Sequence, residues 1–166
     1  MYKLHEESGA TIDATAEQVF TALDDPMRLS SHMNKPTWQM GGGSMQTVVD
    51  ASHGRSVGSH IVLKGRVFGI RLFVEEIVTV REPSVRKAWE TIGIPRLLVI
   101  GPYRLSFDVT ARDVGSGLRV AIEYDLPEHG FARALGWLFG RMYARWCTRR
   151  MVRDARTLFA GQLVVA

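Results

Sequence analysis

Apolar and polar residues alternate along residues 103–126, which is the clearest periodic pattern in the chain. A period of two is typical of a β-strand that turns one face to the core and the other to water. The glycine-rich residues 115–117 interrupt the pattern and indicate a turn between two antiparallel strands. The apolar positions are Tyr103, Leu105, Phe107 and Val109 in the first strand and Leu118, Val120, Ile122, Tyr124 and Leu126 in the second.

Weaker signals of the same kind extend the sheet toward the N-terminus. Turn-forming residues divide residues 45–126 into six predicted strands, and residues 4–12 are compatible with one more, so the sheet has about seven strands. The dividing turns lie near residues 53–54, 69, 82–83 and 101–102.

Helices are predicted on both sides of these six strands. Thr15 and Gln18 have the spacing of a capping box, so a helix should begin there. Pro26 interrupts that helix, and a second short one is predicted within residues 27–33, before a flexible joint at residues 41–44. A long helix is predicted over residues 131–160, closed by Gly161.

Composition and charge narrow the class of protein. The chain has 166 residues, 46% of them hydrophobic and 23% charged, which predicts a single globular domain over 1–166. A lone cysteine, a polar start without a secretory signal and the lack of an apolar stretch of roughly 20 residues favour a cytoplasmic protein. A net charge of +4 is too modest to indicate a nucleic-acid partner.

The order of elements resembles a known superfamily. A strand, two short helices, a six-stranded antiparallel meander and one long terminal helix form the helix-grip order, an α+β arrangement in which a curved sheet wraps around the last helix. In this order the sequence resembles the SRPBCC superfamily, which includes START domains and polyketide cyclase/dehydrase-like proteins. The residues that carry the resemblance are 12–20 (IDATAEQVF), 23–26 (LDDP), 78–83 (VTVREP) and 143–150 (YARWCTRR).

The resemblance implies an internal cavity, and the apolar faces indicate its lining. A sheet that curves around a helix encloses more space than its own side chains fill, and tyrosines on an apolar face need hydrogen-bond partners that a ligand can supply. The alternative, a solid core, remains open for each position. The predicted ligand-binding residues are Trp89, Tyr103, Leu105, Phe107, Val120, Ile122 and Tyr124 on the strands and Phe139, Tyr143 and Cys147 on the helix.

No familiar catalytic, cofactor or metal motif is present. The five histidines lack ligand spacing, and there is neither a nucleophile elbow nor a phosphate-binding loop, so no metal and no cofactor are predicted. Glu76 shares a face with apolar residues of its strand and would need a buried partner there. Glu76 and His60 are the polar groups most compatible with a place in the cavity, whereas Asp108 and Arg104 belong to the wet face.

The terminal helix carries two distinct stripes. One, assigned to packing against the sheet, comprises Gly136, Gly140, Tyr143, Cys147, Met151 and Leu158. The other begins apolar and continues as arginines at 149, 153 and 156, and it is either covered by loops or exposed as a surface for an anionic membrane or a homodimer. The apolar members of this second stripe are Phe131, Leu135, Leu138, Met142 and Trp146.

Three functions follow as hypotheses. The first is binding or transport of a small hydrophobic molecule, such as a lipid, an isoprenoid or a polyketide-like compound. The second is a polyketide cyclase or dehydratase-like activity in the same cavity, for which the sequence offers no convincing acid/base pair. The third is a membrane- or protein-interaction module that uses the basic, aromatic terminal helix.

Overall fold

The structure is a computed structural model that describes residues 2–29, 44–67 and 69–160. Its strands are β1 (Leu4–Ile12), β2 (Ser44–Val49), β3 (His60–Val67), β4 (Ile70–Glu82), β5 (Arg86–Arg96), β6 (Tyr103–Ala111) and β7 (Ser116–Tyr124). Its helices are α1 (Ala16–Leu23), α2 (Pro26–Leu29) and α3 (Gly130–Ala160). Among the described residues, no helix combines the length and the hydropathy of a membrane span.

All seven strands form one antiparallel sheet in the order β1-β7-β6-β5-β4-β3-β2. The predicted α+β helix-grip class is confirmed, with α1 and α2 following the first strand and α3 closing the chain. In the register of β6 with β7, Leu105 lies opposite Ile122 and Phe107 opposite Val120, so the two predicted apolar faces coincide. They form the middle of the core.

The turn before β7 is shorter than the glycine pattern indicated. Strand β7 begins at Ser116, inside the predicted turn, and Gly115 takes the left-handed conformation with φ of 72°. A Cβ atom at Gly115 would lie 2.3 Å from the carbonyl oxygen of Ile12. This close approach of β1 requires glycine and leaves Ser116 free to enter the strand.

The capping box fixes the start of α1. The Thr15 hydroxyl accepts a hydrogen bond from the Gln18 amide at 3.2 Å, and the Thr15 amide donates to the Gln18 side chain at 3.0 Å. Val19 and Phe20 are then buried against the sheet. The C-terminal part of the predicted second helix, the joint at 41–43 and Gly161 lie outside the described residues.

Helix α3 buries Gly136, Gly140 and Met151 of the predicted packing stripe, but not the other three residues of that stripe. Tyr143 and Cys147 turn instead toward a cavity, and Leu158 is 43% exposed because Phe159, the next residue, occupies the buried position. The residues that α3 buries are Gly136, Gly140, Ala144, Thr148, Met151, Val152, Ala155 and Phe159.

Candidate functional site

A cavity of about 110 Å³ lies between the inner face of the sheet and α3. Most of its lining is apolar, and the polar groups are few. Apolar cavities of roughly 150 Å³ are known to hold one benzene molecule, so this volume corresponds to a small organic ring. The lining residues are Pro26, Thr47, Ile61, Leu63, Val74, Glu76, Lys87, Trp89, Leu97, Ile100, Tyr103, Leu105, Ile122, Tyr143, Cys147 and Met151.

Six of the ten predicted ligand-binding residues line this cavity. Strands β5, β6 and β7 supply four of them, and the neighbouring turns of α3 supply the other two. That they bind a ligand remains a prediction. The six are Trp89, Tyr103, Leu105, Ile122, Tyr143 and Cys147.

The other four predicted residues do not reach the cavity. Phe107, Val120 and Tyr124 are buried core residues, because helices lie directly over their part of the sheet: the Phe107 ring is 5.6 Å from that of Phe20 in α1. Phe139 is 38% exposed. Gly140 is the residue that faces the sheet, and one residue of helix rotation, about 100°, turns Phe139 away from it.

Glu76 supplies the cavity with a carboxyl group. Its side chain lies on the inner face of β4 and is 4% exposed, as the alternation of that strand indicated. The Tyr103 hydroxyl donates a hydrogen bond to Glu76 Oε1, which provides the buried partner that the sequence could not identify. Burial raises the pKa of Glu76 to about 7, although hydrogen bonds from Tyr103 and Trp89 act in the opposite direction.

A carboxyl group with this pKa can exchange a proton near neutral pH. Such a group can act as a general acid or a general base if a ligand places a suitable atom beside it. It can also form an ion pair with a cation that enters the cavity. The pKa of Tyr103 is raised well above its ordinary value by burial and by the neighbouring Glu76, so this hydroxyl stays a hydrogen-bond donor.

The side chains that α3 contributes to the cavity wall are chemically unreactive. Tyr143 and Cys147 are one helical turn apart, and burial raises the pKa of the Cys147 thiol to about 12, opposed by a hydrogen bond from Tyr143. The thiolate is the nucleophilic form of cysteine, so Cys147 is poorly suited to covalent chemistry. It contributes shape and polarizability to the wall.

Lys87 is a second polar wall residue, and the sequence analysis missed it. It is 1% exposed, and its Nζ donates to the backbone oxygen of Asp24 at 2.7 Å and to Asp24 Oδ1 at 2.8 Å. Arg81 binds the same carboxylate at 2.7 Å. Burial lowers the pKa of Lys87, and Asp24 opposes this shift. The clue in the sequence was the spacing of two residues from Trp89, which puts both side chains on one face of β5.

His60 does not belong to the cavity. Its ring is exposed and lies 3.0 Å from Glu75 Oε1, because the alternation of β3 turns the next residue, Ile61, inward. Asp108 and Arg104 lie on the outer face as predicted. Within residues 2–29, 44–67 and 69–160, no cluster of three or more His, Cys, Asp or Glu side chains has the arrangement of a metal site.

Solved structures match the chain over nearly its whole length. Norcoclaurine synthase from Thalictrum flavum has a TM-score of 0.60 at 15% identity, over 96% of this chain and 94% of its own. Ara h 8.0201 has a TM-score of 0.63 at 11% identity, over 95% and 98%. StfQ, a di-domain ARO/CYC from the steffimycin biosynthetic pathway, has a TM-score of 0.66 at 11% identity, over 97% of this chain and 52% of StfQ.

The chain has the helix-grip fold that these solved structures share. No family model matches the sequence, and no curated protein does. Identities of 11–15% show the fold alone, so the choice among functions depends on this chain's own residues.

The fold also exposes one side of α3, which we call the α3 outer surface: Phe131, Leu138, Met142, Arg149 and Arg153. Phe131 is 74% exposed, Met142 63% and Leu138 62%, and Trp137, which is 80% exposed, lies about 100° around the helix from Leu138. Of the apolar stripe predicted on this helix, Leu135 and Trp146 are half-buried, with the Trp146 ring 6.0 Å from that of Tyr143. The alternative in which loops cover the whole stripe is therefore wrong for its exposed members.

Proposed function

We propose that the protein binds a small, mainly hydrophobic molecule in the cavity between the sheet and α3. The observation that carries this proposal is a partly open, mainly apolar cavity with one buried carboxyl group in its wall. Ligand sites in proteins are concave and mostly apolar, with a few polar groups that fix orientation. The structural neighbours in plants and in a polyketide pathway support a ligand-binding role at the level of the fold.

The volume restricts the ligand that we propose. About 110 Å³ supports a molecule of roughly one ring, which is smaller than a complete lipid. Burial of apolar surface at roughly 25 cal/mol per Å² would supply most of the affinity, reduced by the cost of association.

The experiment is ligand detection followed by a cavity-filling variant. Native mass spectrometry of protein from its own host should show a retained compound, and titration with toluene, followed by NMR, should shift signals of the cavity wall. Cys147→Phe should abolish toluene binding because the new ring occupies the cavity. Phe139→Ala, on the same helix but outside the cavity, should leave binding unchanged. Equal toluene binding by wild type and Cys147→Phe would refute the proposal.

The cyclase-like alternative rests on Glu76. Its pKa of about 7 suits a residue that moves protons on a bound carbonyl compound, and Tyr103 can donate to an oxygen atom there. Turnover of a polyketone by the wild type, and its loss in a folded Glu76→Gln variant, would support this activity over simple binding.

We propose a second role for the α3 outer surface, which is peripheral contact with an anionic lipid membrane. Arg149 and Arg153 have no acidic partner among the described residues, whereas Arg141 and Arg145 both bind Glu6, at 2.6 and 3.3 Å. Exposed aromatic and aliphatic side chains beside unpaired arginines suit the boundary between lipid headgroups and acyl chains. Co-sedimentation with vesicles of phosphatidylglycerol and phosphatidylcholine tests this, and a homodimer without vesicle binding is the competing outcome.

A further inference from the structure

The surroundings of Glu76 indicate which chemical class of ligand the cavity prefers, provided that the cavity is a ligand site as proposed above. Both side chains that hydrogen-bond to Glu76, Tyr103 and Trp89, act as donors. An indole N–H can only donate, and a hydroxyl beside a carboxylate does the same. The carboxyl group is therefore arranged as an acceptor. An ionised carboxylate has about four acceptor positions, so two donors leave it capacity for more.

No cation of the described residues compensates the charge of this carboxylate. Across the sheet, Glu76 lies opposite Ile61 of β3 and Thr91 of β5, and no ion pair is formed by its side chain. The remaining titratable groups of the cavity wall are Lys87, Tyr103, Tyr143 and Cys147. Three of these are neutral, because their pKa values are raised.

Lys87, the fourth group, is already occupied by another acid. Its Nζ contacts both the backbone oxygen and the carboxylate of Asp24, within 2.8 Å. If Lys87 Nζ moved away from Asp24 to reach Glu76, the buried charge of Asp24 would be only partly balanced by Arg81. A positive charge beside the ionised form of Glu76 would therefore have to come from a bound molecule.

We propose that the cavity binds a small apolar amine whose ammonium group forms an ion pair with Glu76 while its hydrocarbon part contacts the apolar wall. An ammonium group brings both hydrogen-bond donors and the missing positive charge, whereas an alcohol brings only a donor. The rings of Trp89 and Tyr103 lie beside the carboxyl group and can add cation–π attraction. A carboxylic acid of the same size would be repelled by the ionised Glu76.

When the ligand is an amine, a proton can pass from Glu76 to the ligand inside the cavity without any further reactant. A neutral amine and a protonated Glu76 carry one exchangeable proton between them, and the amine nitrogen takes it from the carboxyl oxygen to give the ammonium carboxylate pair. An alkylamine, with a pKa of about 10, is a far stronger base than the carboxylate. The amine can thus enter the cavity in its neutral form, which loses its hydration shell more easily, and become charged beside Glu76.

The first test compares three ligands that differ in one group: benzylamine, benzyl alcohol and toluene. At pH 8, the dissociation constant of benzylamine should be at least tenfold lower than that of benzyl alcohol. Glu76→Gln should remove this preference, since the amide keeps the shape and loses the charge. Glu75→Gln is the matched control, because the neighbouring carboxylate points outward and pairs with His60. Tyr103→Phe, which removes a donor but not the charge, should keep the preference.

The second test follows the proton. Calorimetry of benzylamine binding at pH 6, in two buffers that differ in ionisation enthalpy, should show release of close to one proton, because the free protein holds a proton on Glu76 at that pH. At pH 8.5 the release should disappear. Benzyl alcohol should release none at either pH, and Glu76→Gln should release none with any ligand.

The outcomes separate this inference from the proposed function. If toluene and benzyl alcohol bind but benzylamine binds no better and releases no proton, the cavity is a ligand site without preference for amines, and the inference is overturned. If none of the three compounds binds a folded wild type, the proposed function fails together with the inference.

Discussion

At the scale of single residues, the buried group formed by Lys87, Asp24 and Arg81 connects α1 to the sheet. Asp24 caps the C-terminal end of α1, and both its backbone oxygen and its carboxylate accept hydrogen bonds from Lys87 on β5. Although burial acts to raise the pKa of Asp24, hydrogen bonds from Arg81 and Lys87 bring it below the ordinary value. The three charges therefore form one unit, in which removal of a single partner leaves buried charge uncompensated.

We expect Lys87→Met to lower the free energy of unfolding by about 3 kcal/mol, because it leaves Asp24 buried with less compensating charge. Adding Asp24→Asn to this variant should recover part of the loss, since the remaining buried charge is then removed. Urea unfolding measures both effects. Lys64→Met is the control, because Lys64 lies exposed on β3. An equal loss in Lys64→Met would show that the buried pair is not the cause.

Glu76 should make stability depend on pH in the opposite sense to a salt-bridged carboxylate. Its pKa is raised from 4.5 to about 7, so between these values the folded state holds a proton that the unfolded state has lost. The contribution of this proton to the free energy of unfolding has its full value below pH 4.5 and is lost as the pH rises through 7. Relative to that of Glu76→Gln, the free energy of unfolding of the wild type should fall by about 3 kcal/mol between pH 4.5 and 8.

Urea unfolding of wild type and Glu76→Gln at several pH values provides this comparison, and the difference between them removes contributions from other groups. The difference between wild type and Glu75→Gln should show no such step, because that variant retains Glu76. A constant difference between wild type and Glu76→Gln across the range would mean that Glu76 is not desolvated as the structure indicates.

At the scale of elements, α3 depends on close contact with the segment that leads into β6. A Cβ atom at Gly140 would lie 2.8 Å from the carbonyl oxygen of Val99, and one at Gly136 would lie 3.0 Å from the same oxygen. Glycine is normally unfavourable in a helix by about 1 kcal/mol. Here its missing side chain allows the helix axis to approach the sheet.

Gly140→Ala should therefore destabilise the protein by about 1–3 kcal/mol, despite the better helix propensity of alanine, because the helix must move away from the Val99 carbonyl. Denaturant midpoints measure this change. Ala134→Gly, at an exposed position of α3, is the reference for propensity alone and should cost about 1 kcal/mol. Gly140→Ala with a midpoint equal to or above that of the wild type would contradict the close packing.

How much the sequence predicts also differs between elements. The strands β6 and β7 and the start of α1 were predicted because alternation and capping are local patterns. The rotation of α3 was not, since a helix with apolar residues on most sides does not reveal which side meets the sheet. Phe139 was misplaced for that reason.

The hydrogen-bond partners of the polar site residues were even less predictable from the sequence than the rotation of α3. The inward position of Glu76 followed from its strand, but its partner Tyr103 is 27 residues away, and Lys87 and Asp24 are 63 residues apart. Such pairs are created by the register of the sheet and by the packing of α1. A single sequence carries no signal for them.

At the scale of the whole molecule, α3 separates two chemically different regions. One side bears Tyr143 and Cys147 toward the cavity, while the α3 outer surface presents apolar residues in its first half and arginines in its second. The net charge of +4 is therefore less informative than its distribution. A ligand site and a membrane-facing surface on one helix can operate without sharing residues.

If the α3 outer surface binds anionic membranes, its charged and apolar halves should respond differently to salt. Arg149→Gln with Arg153→Gln should weaken vesicle binding several-fold at 25 mM salt and little at 500 mM, because ions screen exposed charges over about 10 Å at 0.1 M and less as salt rises. Leu138→Ser with Met142→Ser should weaken binding at every salt concentration, since apolar burial is not screened. Arg71→Gln, at an exposed position of β4, is the control. Equal binding to neutral and anionic vesicles, or the same salt profile for both double variants, would exclude the arginines from the contact. A homodimer that binds neither kind of vesicle would leave self-association through the apolar residues as the use of this surface.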